Sequence, residues 1–260
     1  VGMWSVVVVM PAVQADFGVG RGEAALPYTF AMLGFAGGGV LMGRLSDRYG
    51  IMAPVIGGTL LLCAGYVAAA LSPSVYIFAV AHGVLIGLGS AAVFGPLLAH
   101  VSFWFDRRRG IAVAIAASGN YLAGAVWPQI VRFTLESVGW RTTHLIIAVS
   151  VVVLMLPLAL LLRRPAPVAV VGSTSLARSA SPAALGLSPN MLMLLLAIAG
   201  VACCVAMSMP QVHIVAYCAD LGYGVARGSE MLSLMLAFGI ISRVGSGFVA
   251  DRIGGLATLL

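Results

Sequence analysis

Gly43 to Gly50 reads GRLSDRYG, and 204 residues later Gly247 to Gly254 reads GFVADRIG. Each stretch closes a long apolar run. Four of the eight positions are identical, namely the two glycines, the acid and the base, and self-similarity at a long fixed offset is the mark of a duplicated unit. The surrounding composition sets the solvent. Of 260 residues, 61% are hydrophobic and 8% charged, with a mean hydropathy of +1.08, whereas soluble domains carry roughly 25% charged residues. No water-soluble fold of this size hides so much apolar surface, so the expected class is an all-α membrane protein.

Apolar runs of about 20 residues cross a bilayer as helices. They are read here at Val1 to Val13, Ala24 to Leu45, Ile51 to Leu71, Val75 to Phe103, Gly110 to Phe133, Thr142 to Leu162, Met191 to Ala219 and Gly228 to Ala250. The first is short, and Gly255 to Leu260 reads as the start of a ninth, so the expectation is a fragment cut inside helices at both ends. Val1 to Val13 lacks the basic n-region and the small-residue cleavage site of a secretory signal. The cationic side chains are all arginine, the net charge is +6 and the pI about 9.6. These arginines form short clusters between apolar runs and no continuous basic face, which argues against a nucleic-acid partner. Cys63, Cys203, Cys204 and Cys218 lie in apolar segments without Cys-x-x-Cys spacing, and suggest neither a disulfide framework nor a zinc site.

Positive charge is retained on the cytoplasmic side. One set of alternate connections holds Arg44, Arg48, Arg107, Arg108, Arg109, Arg163, Arg164, Arg178 and Arg252; the other holds Arg21, Arg132, Arg141 and Arg227. Both Asp-Arg turns are therefore expected in the cytoplasm. The connection Arg163 to Pro189 is rich in Pro, Ser and Ala and reads as a flexible cytoplasmic linker. The expected organisation is a six-helix half at 1–162 with a truncated first helix, a linker at 163–189, and the start of a second half at 190–260. Duplication of a six-span unit would make twelve helices, of which about eight would be present.

If a six-span unit repeats, the second and eighth spans are counterparts and end alike at one membrane face. Gly43 and Gly247 then remove bulk where a neighbouring helix comes close. Gly50 and Gly254 supply the backbone freedom of a very short turn. Asp47 and Asp251 lie just outside the hydrocarbon, placed to accept from a helix N-terminus across the turn or to pair with an arginine. Gly34 to Gly38, Gly39 to Gly43 and Gly83 to Gly87 have the spacing of close-packed membrane helices.

GRLSDRYG and GFVADRIG resemble the two copies of the loop signature of the major facilitator superfamily. Trp104 to Gly110 followed by Ala116 to Gly119, then Gly139-Trp140-Arg141, then Val212 to Ile214 with Asp220 to Gly222, are similar to its monocarboxylate transporter and oxalate/formate antiporter branch. The resemblance implies a helix bundle of two pseudo-symmetric halves that rock about a midplane site, giving alternating access. It implies that Gly43, Asp47, Arg48, Gly50, Gly247, Asp251, Arg252 and Gly254 act as a conformational latch that never touches substrate. It also maps Arg243 onto the arginine that holds the substrate carboxylate.

Arg243 lies inside the eighth span, where an arginine costs about 2.5–3.5 kcal/mol on insertion scales and normally faces a partner or a watery cavity. A guanidinium fork matches a carboxylate bidentately and keeps its charge. The competing reading is that Arg243 snorkels to the headgroups or pairs with an acid. Asn120, Tyr121 and Gln129, with Trp127, are candidates to line the cavity or to make interhelical hydrogen bonds. His213 is a candidate for substrate binding or proton relay against a structural role, while His82 and His100 read as packing residues. In the branch resembled, an acid one turn before the arginine couples transport to protons; here that position is Gly239, and the polar positions expected in the fourth span are Val93 and Gly95.

Three readings compete. A secondary transporter of small organic anions, working by symport or exchange with a coupling proton or counter-anion, puts Arg243 in the cavity. A facilitator-type exporter of amphipathic compounds makes Arg243 structural and the cavity apolar and aromatic. A membrane-embedded enzyme or sensor would need a catalytic or metal constellation, and neither His-x-x-Glu-His nor paired intramembrane carboxylates occur. The first reading is preferred. It implies a monomer in the lipid bilayer, no cofactor, and a location in the bacterial cytoplasmic membrane.

Overall fold

The computed structural model describes residues 2–105, 108–162 and 188–253. Among these residues the regular structure is entirely helical: α1 Gly2–Phe17, α2 Arg21–Tyr49, α3 Met52–Ala70, α4 Val75–Ser102, then Arg109–Leu161, α7 Pro189–Asp220 and α8 Gly224–Ile253. The 53 residues of Arg109–Leu161 exceed twice a bilayer crossing. Gly139 divides them with a left-handed φ of 78°, and the two spans are named α5 (109–138) and α6 (140–161). The helices follow the apolar runs because, in lipid, each backbone N–H and C=O must be satisfied within its own segment. Most of the linker read at 163–189, and Gly254 with the residues after it, lie outside the described residues.

Local chemistry sets the ends. The Glu23 carboxylate accepts from the Gly20 N–H at 3.3 Å and opens α2, while Ser74 accepts from Ile77 N at 3.4 Å and opens α4. α2 stops at Gly50, whose φ of 78° few other residues adopt. α4 departs from the single regular span expected. It carries a π-helical turn at Ala81–Gly87 and a break at Val93 and Phe94, after which Pro96 sits in the first turn of a new helical segment.

The helices form two units, one made of α1 to α6 with α8 from Leu232 onward, the other of α7 with α8 as far as Met231. In the first, small residues let α2, α3 and α4 nearly touch. A Cβ on Gly87 would stand 2.6 Å from the Ala31 carbonyl oxygen, and one on Gly89 2.7 Å from that of Gly58. Outward faces remain apolar, as at Leu33, Val40, Leu60 and Val153, which suits contact with lipid. The core gathers Val6, Val9, Leu62, Phe78, Val131, Trp140 and Ile147, and it also buries polar groups. Ser5 and Tyr66 satisfy each other at 3.0 Å. His82 and His144 do not fully do so, since the Nε2 of each is buried without a partner among the described residues, an arrangement that costs about 1–3 kcal/mol per orphaned group. In the second unit, Gly228 lets α8 lie against Val215 and Cys218 of α7.

Candidate functional site

α5 and α8 run antiparallel along one seam, and every step of it is set by a residue of suitable size. A Cβ on Gly247 would stand 2.5 Å from Ala114 Cβ and 3.0 Å from the Gly110 carbonyl oxygen; one on Gly239 would meet the Tyr121 ring at 2.6 Å; one on Gly124 would meet Leu236 at 2.6 Å. Farther along, Gln129 Nε2 donates to Ser233 Oγ at 3.3 Å. Gln129 is thus an interhelical link in this structure.

Arg243 is half-buried, and its guanidinium carbon lies 5.2 Å from the centroid of the Tyr121 ring. A ring face attracts a cation and holds the planar guanidinium without using its donors. The side chain forms no ion pair with an acid among the described residues. It lines a cavity of about 680 Å³ together with Arg109, Ser246 and Asp251. Gly239, where the acid of the resembled branch would stand, is the place against which the Tyr121 ring packs. A carboxylate side chain there would displace the ring that supports Arg243.

Asn120 sits one residue away but points elsewhere, into a second cavity of about 390 Å³ walled by Trp4, Phe35, Phe94 and Leu97, with Val93 on its lining. Asn120 and Tyr121 therefore serve different sides of α5. His213 is exposed on α7, in the other unit.

The two copies of the repeated motif differ in what they touch. Asp251 accepts from the N–H groups of Gly110 at 2.7 Å and Ile111 at 2.9 Å, one to each carboxylate oxygen, and so caps α5 from the end of α8. Two of the four orphan donors of that helix start are thus met by charge-assisted bonds. Asp47 is exposed and makes no such bond among the described residues. No atom lies within 4 Å of a Cβ built on Gly43, in contrast to the close approach expected there. Instead Gly43, Asp47 and Gly50 line an open cavity of about 640 Å³ with Gly95, Pro96 and His100. Arg48 lies over Tyr49, and Arg252 over Phe248 at 4.4 Å. Gly254 is outside the described residues.

At the opposite end, sequence reasoning missed a clasp. Arg141 donates to the carbonyls of Ala70 at 3.1 Å and Ser72 at 2.9 Å and pairs with Asp16 at 3.1 Å, stacked 4.3 Å over Trp140. The Trp140 indole N–H donates to the same carboxylate at 3.3 Å. Gly139-Trp140-Arg141 stood out as a motif, and its partner Asp16 was available as the acid just after the first apolar run.

The family profile for the Major Facilitator Superfamily matches residues 1–260. The chain belongs to the major facilitator superfamily. It is an integral, multi-pass membrane protein of that family. It is 27% identical to the MFS-type transporter pynF of Aspergillus niger, over 84% of this chain and 49% of that one. It is 35% identical to the Fujikurins efflux protein of Gibberella fujikuroi, over 39% of this chain and 22% of that one. It is 31% identical to Monocarboxylate transporter 6 of Mus musculus, over 51% of this chain and 28% of that one. The matches cover from 22% to 72% of the curated relatives' own lengths, and about half of pynF. These superfamily relatives are fungal and murine, so the bacterial membrane expected from sequence gains no support from them.

Proposed function

We propose that the full-length protein is a secondary transporter of small organic anions, operating by alternating access, with Arg243 as the carboxylate anchor. The observation that carries this reading is a guanidinium inside a membrane helix that faces a cavity, rests on an aromatic ring and has no acidic partner among the described residues. Such a group is costly in a bilayer unless it has an anion to meet. The likeness to a monocarboxylate transporter supports the same substrate class. Two halves, at 1–162 and from 190 onward, joined by the linker at 163–189, are the organisation that goes with it. Transport requires no covalent chemistry, and we assign no catalytic residue. The test is uptake by proteoliposomes of labelled mono- and dicarboxylates beside their uncharged amides. Saturable uptake of a carboxylate and none of its amide is expected; uptake of the amide alone would overturn the reading.

A second reading is favoured by one observation. The cavity at Asn120 has walls of Trp4, Phe35, Phe94 and Leu97, suited to an apolar body, and one relative is named as an efflux protein. An exporter of amphipathic compounds would use that cavity and leave Arg243 structural.

The latch belongs to the same proposal. The Asp251 bonds tie α8 to the start of α5, so their loss should favour the state in which this end is open. Removing a helix-capping carboxylate costs about 0.5–2 kcal/mol, so Asp251→Ala is expected to shift the ratio of inward- to outward-open protein by roughly two- to thirtyfold. Spectroscopic distances across this end of the full-length protein measure that ratio. An unchanged distribution would remove Asp251 from the latch.

A further inference from the structure

α4 and α6 each bring one histidine into the core, and the rings of His82 and His144 meet edge to face, with centroids 5.8 Å apart and planes at 77°. Both side chains are fully buried. His82 Nδ1 lies 3.0 Å from the Phe78 carbonyl oxygen, and His144 Nδ1 lies 2.7 Å from that of Trp140. A carbonyl can only accept, so each Nδ1 carries the hydrogen, and a neutral ring then leaves its Nε2 as a bare lone pair. Neither Nε2 has a partner among the described residues.

Two acceptors thus sit among Phe78, Trp140 and Tyr66, which lie against the rings. An aliphatic side chain would fill this space without burying a lone pair, and buried polar groups without partners are rare enough to require a reason. His82 also stands on the π-helical turn of α4, an irregularity frequent at functional sites. The sequence places no Asp or Glu deep in any of the spans read from it. A proton carried with substrate therefore needs another base.

We propose that His82 and His144 form one proton-binding site that supplies a coupling proton, an assignment that rests on the transporter reading above. A proton arriving from water adds to one Nε2 lone pair, no protein bond breaks, and the new N–H is offered to the neighbouring ring. The result is an imidazolium–imidazole pair joining α4 to α6. A second proton is opposed by the charge of the first. The neighbouring groups are consistent with a single positive charge. From α1 the Asp16 carboxylate, half-exposed, accepts from the Trp140 indole and pairs with Arg141. It places a negative group one aromatic ring from His144 and offers an entry from the outer end. From α3, Tyr66 is held by Ser5 and Cys63 packs against the same core, as does Tyr28 from α2.

The test labels the full-length protein with 15N-histidine in lipid bilayers and follows both rings by NMR as pH is lowered. Nδ1–H tautomers are expected at alkaline pH, followed by uptake of one proton by the pair, with His82→Gln altering the titration of His144. Rings that stay neutral wherever the protein stays folded, or Nε2–H tautomers at alkaline pH, would overturn the site. This arm needs no substrate, so it stays readable if the carboxylate reading fails, and its wild-type titration needs no variant to fold. In proteoliposomes, one pH unit accumulates an anion by up to about tenfold when one proton travels with it. His144→Gln is expected to abolish that accumulation while exchange without a gradient continues. Undiminished accumulation in both His82→Gln and His144→Gln would overturn the coupling assignment.

Discussion

Arg243→Gln should weaken binding of a carboxylate substrate by tens to thousands of fold, corresponding to about 2–5 kcal/mol. The loss is large because it is one-sided. The cavity at Arg243 is open among the described residues. The full effect therefore belongs to the state in which the full-length protein encloses the anion, which is then left with its desolvation cost and without the bidentate, charge-assisted bond that offsets it. Arg243→Lys should rescue poorly, since an ammonium keeps the charge but not the planar fork that lies over the Tyr121 ring. Equilibrium binding of a labelled carboxylate to purified full-length protein measures both variants. Parental affinity in Arg243→Gln would show that the arginine does not hold the anion.

Gly247→Leu should destabilise the α5–α8 seam by about 2–5 kcal/mol, the sum expected of overpacking and of a lost cap. The Cβ alone would stand 2.5 Å from Ala114 Cβ, and the opposing atom at 3.0 Å is a backbone carbonyl that cannot rotate away. Relief requires the helices to separate, and separation pulls Asp251 off the Gly110 and Ile111 N–H groups at 2.7 and 2.9 Å. Gly245→Leu is the control on the same helix, because nothing lies within 4 Å of a Cβ built there. Unfolding in mixed detergent should show a marked loss for Gly247→Leu and a change within about 0.5 kcal/mol for Gly245→Leu. Equal stability of the two would mean that the close approach at Gly247 does not hold the seam.

The fold was legible because a bilayer leaves few options: uncharged runs of sufficient length become helices, and seven of the eight runs read from sequence correspond to spans of the structure, with α1 shorter at 16 residues. The turn at Gly139 falls in the connection read between the fifth and sixth apolar runs. The repeated motif pointed to a carboxylate accepting from the helix across its own turn. The helix that Asp251 caps is instead α5, about 140 residues earlier in the chain, a pairing that no local pattern reveals. Asp251 finds α5, whereas Asp47 borders an open cavity. The histidine pair was not legible at all. Each ring bonds a carbonyl four residues back in its own helix, as a packing histidine does, and the partner lies 62 residues away on a different helix. The meaning of Gly239 was likewise hidden, since the space it leaves is filled by Tyr121, a residue of α5.

The central claim is that Arg243 meets a carboxylate, and a thermodynamic cycle tests it most directly. Binding of a carboxylate and of its amide isostere is measured in parental protein and in Arg243→Gln, and the two differences are compared. The account predicts a strong parental preference for the carboxylate that all but vanishes in the variant, a coupling of about 2 kcal/mol or more. A preference for the carboxylate that survives Arg243→Gln undiminished would contradict it.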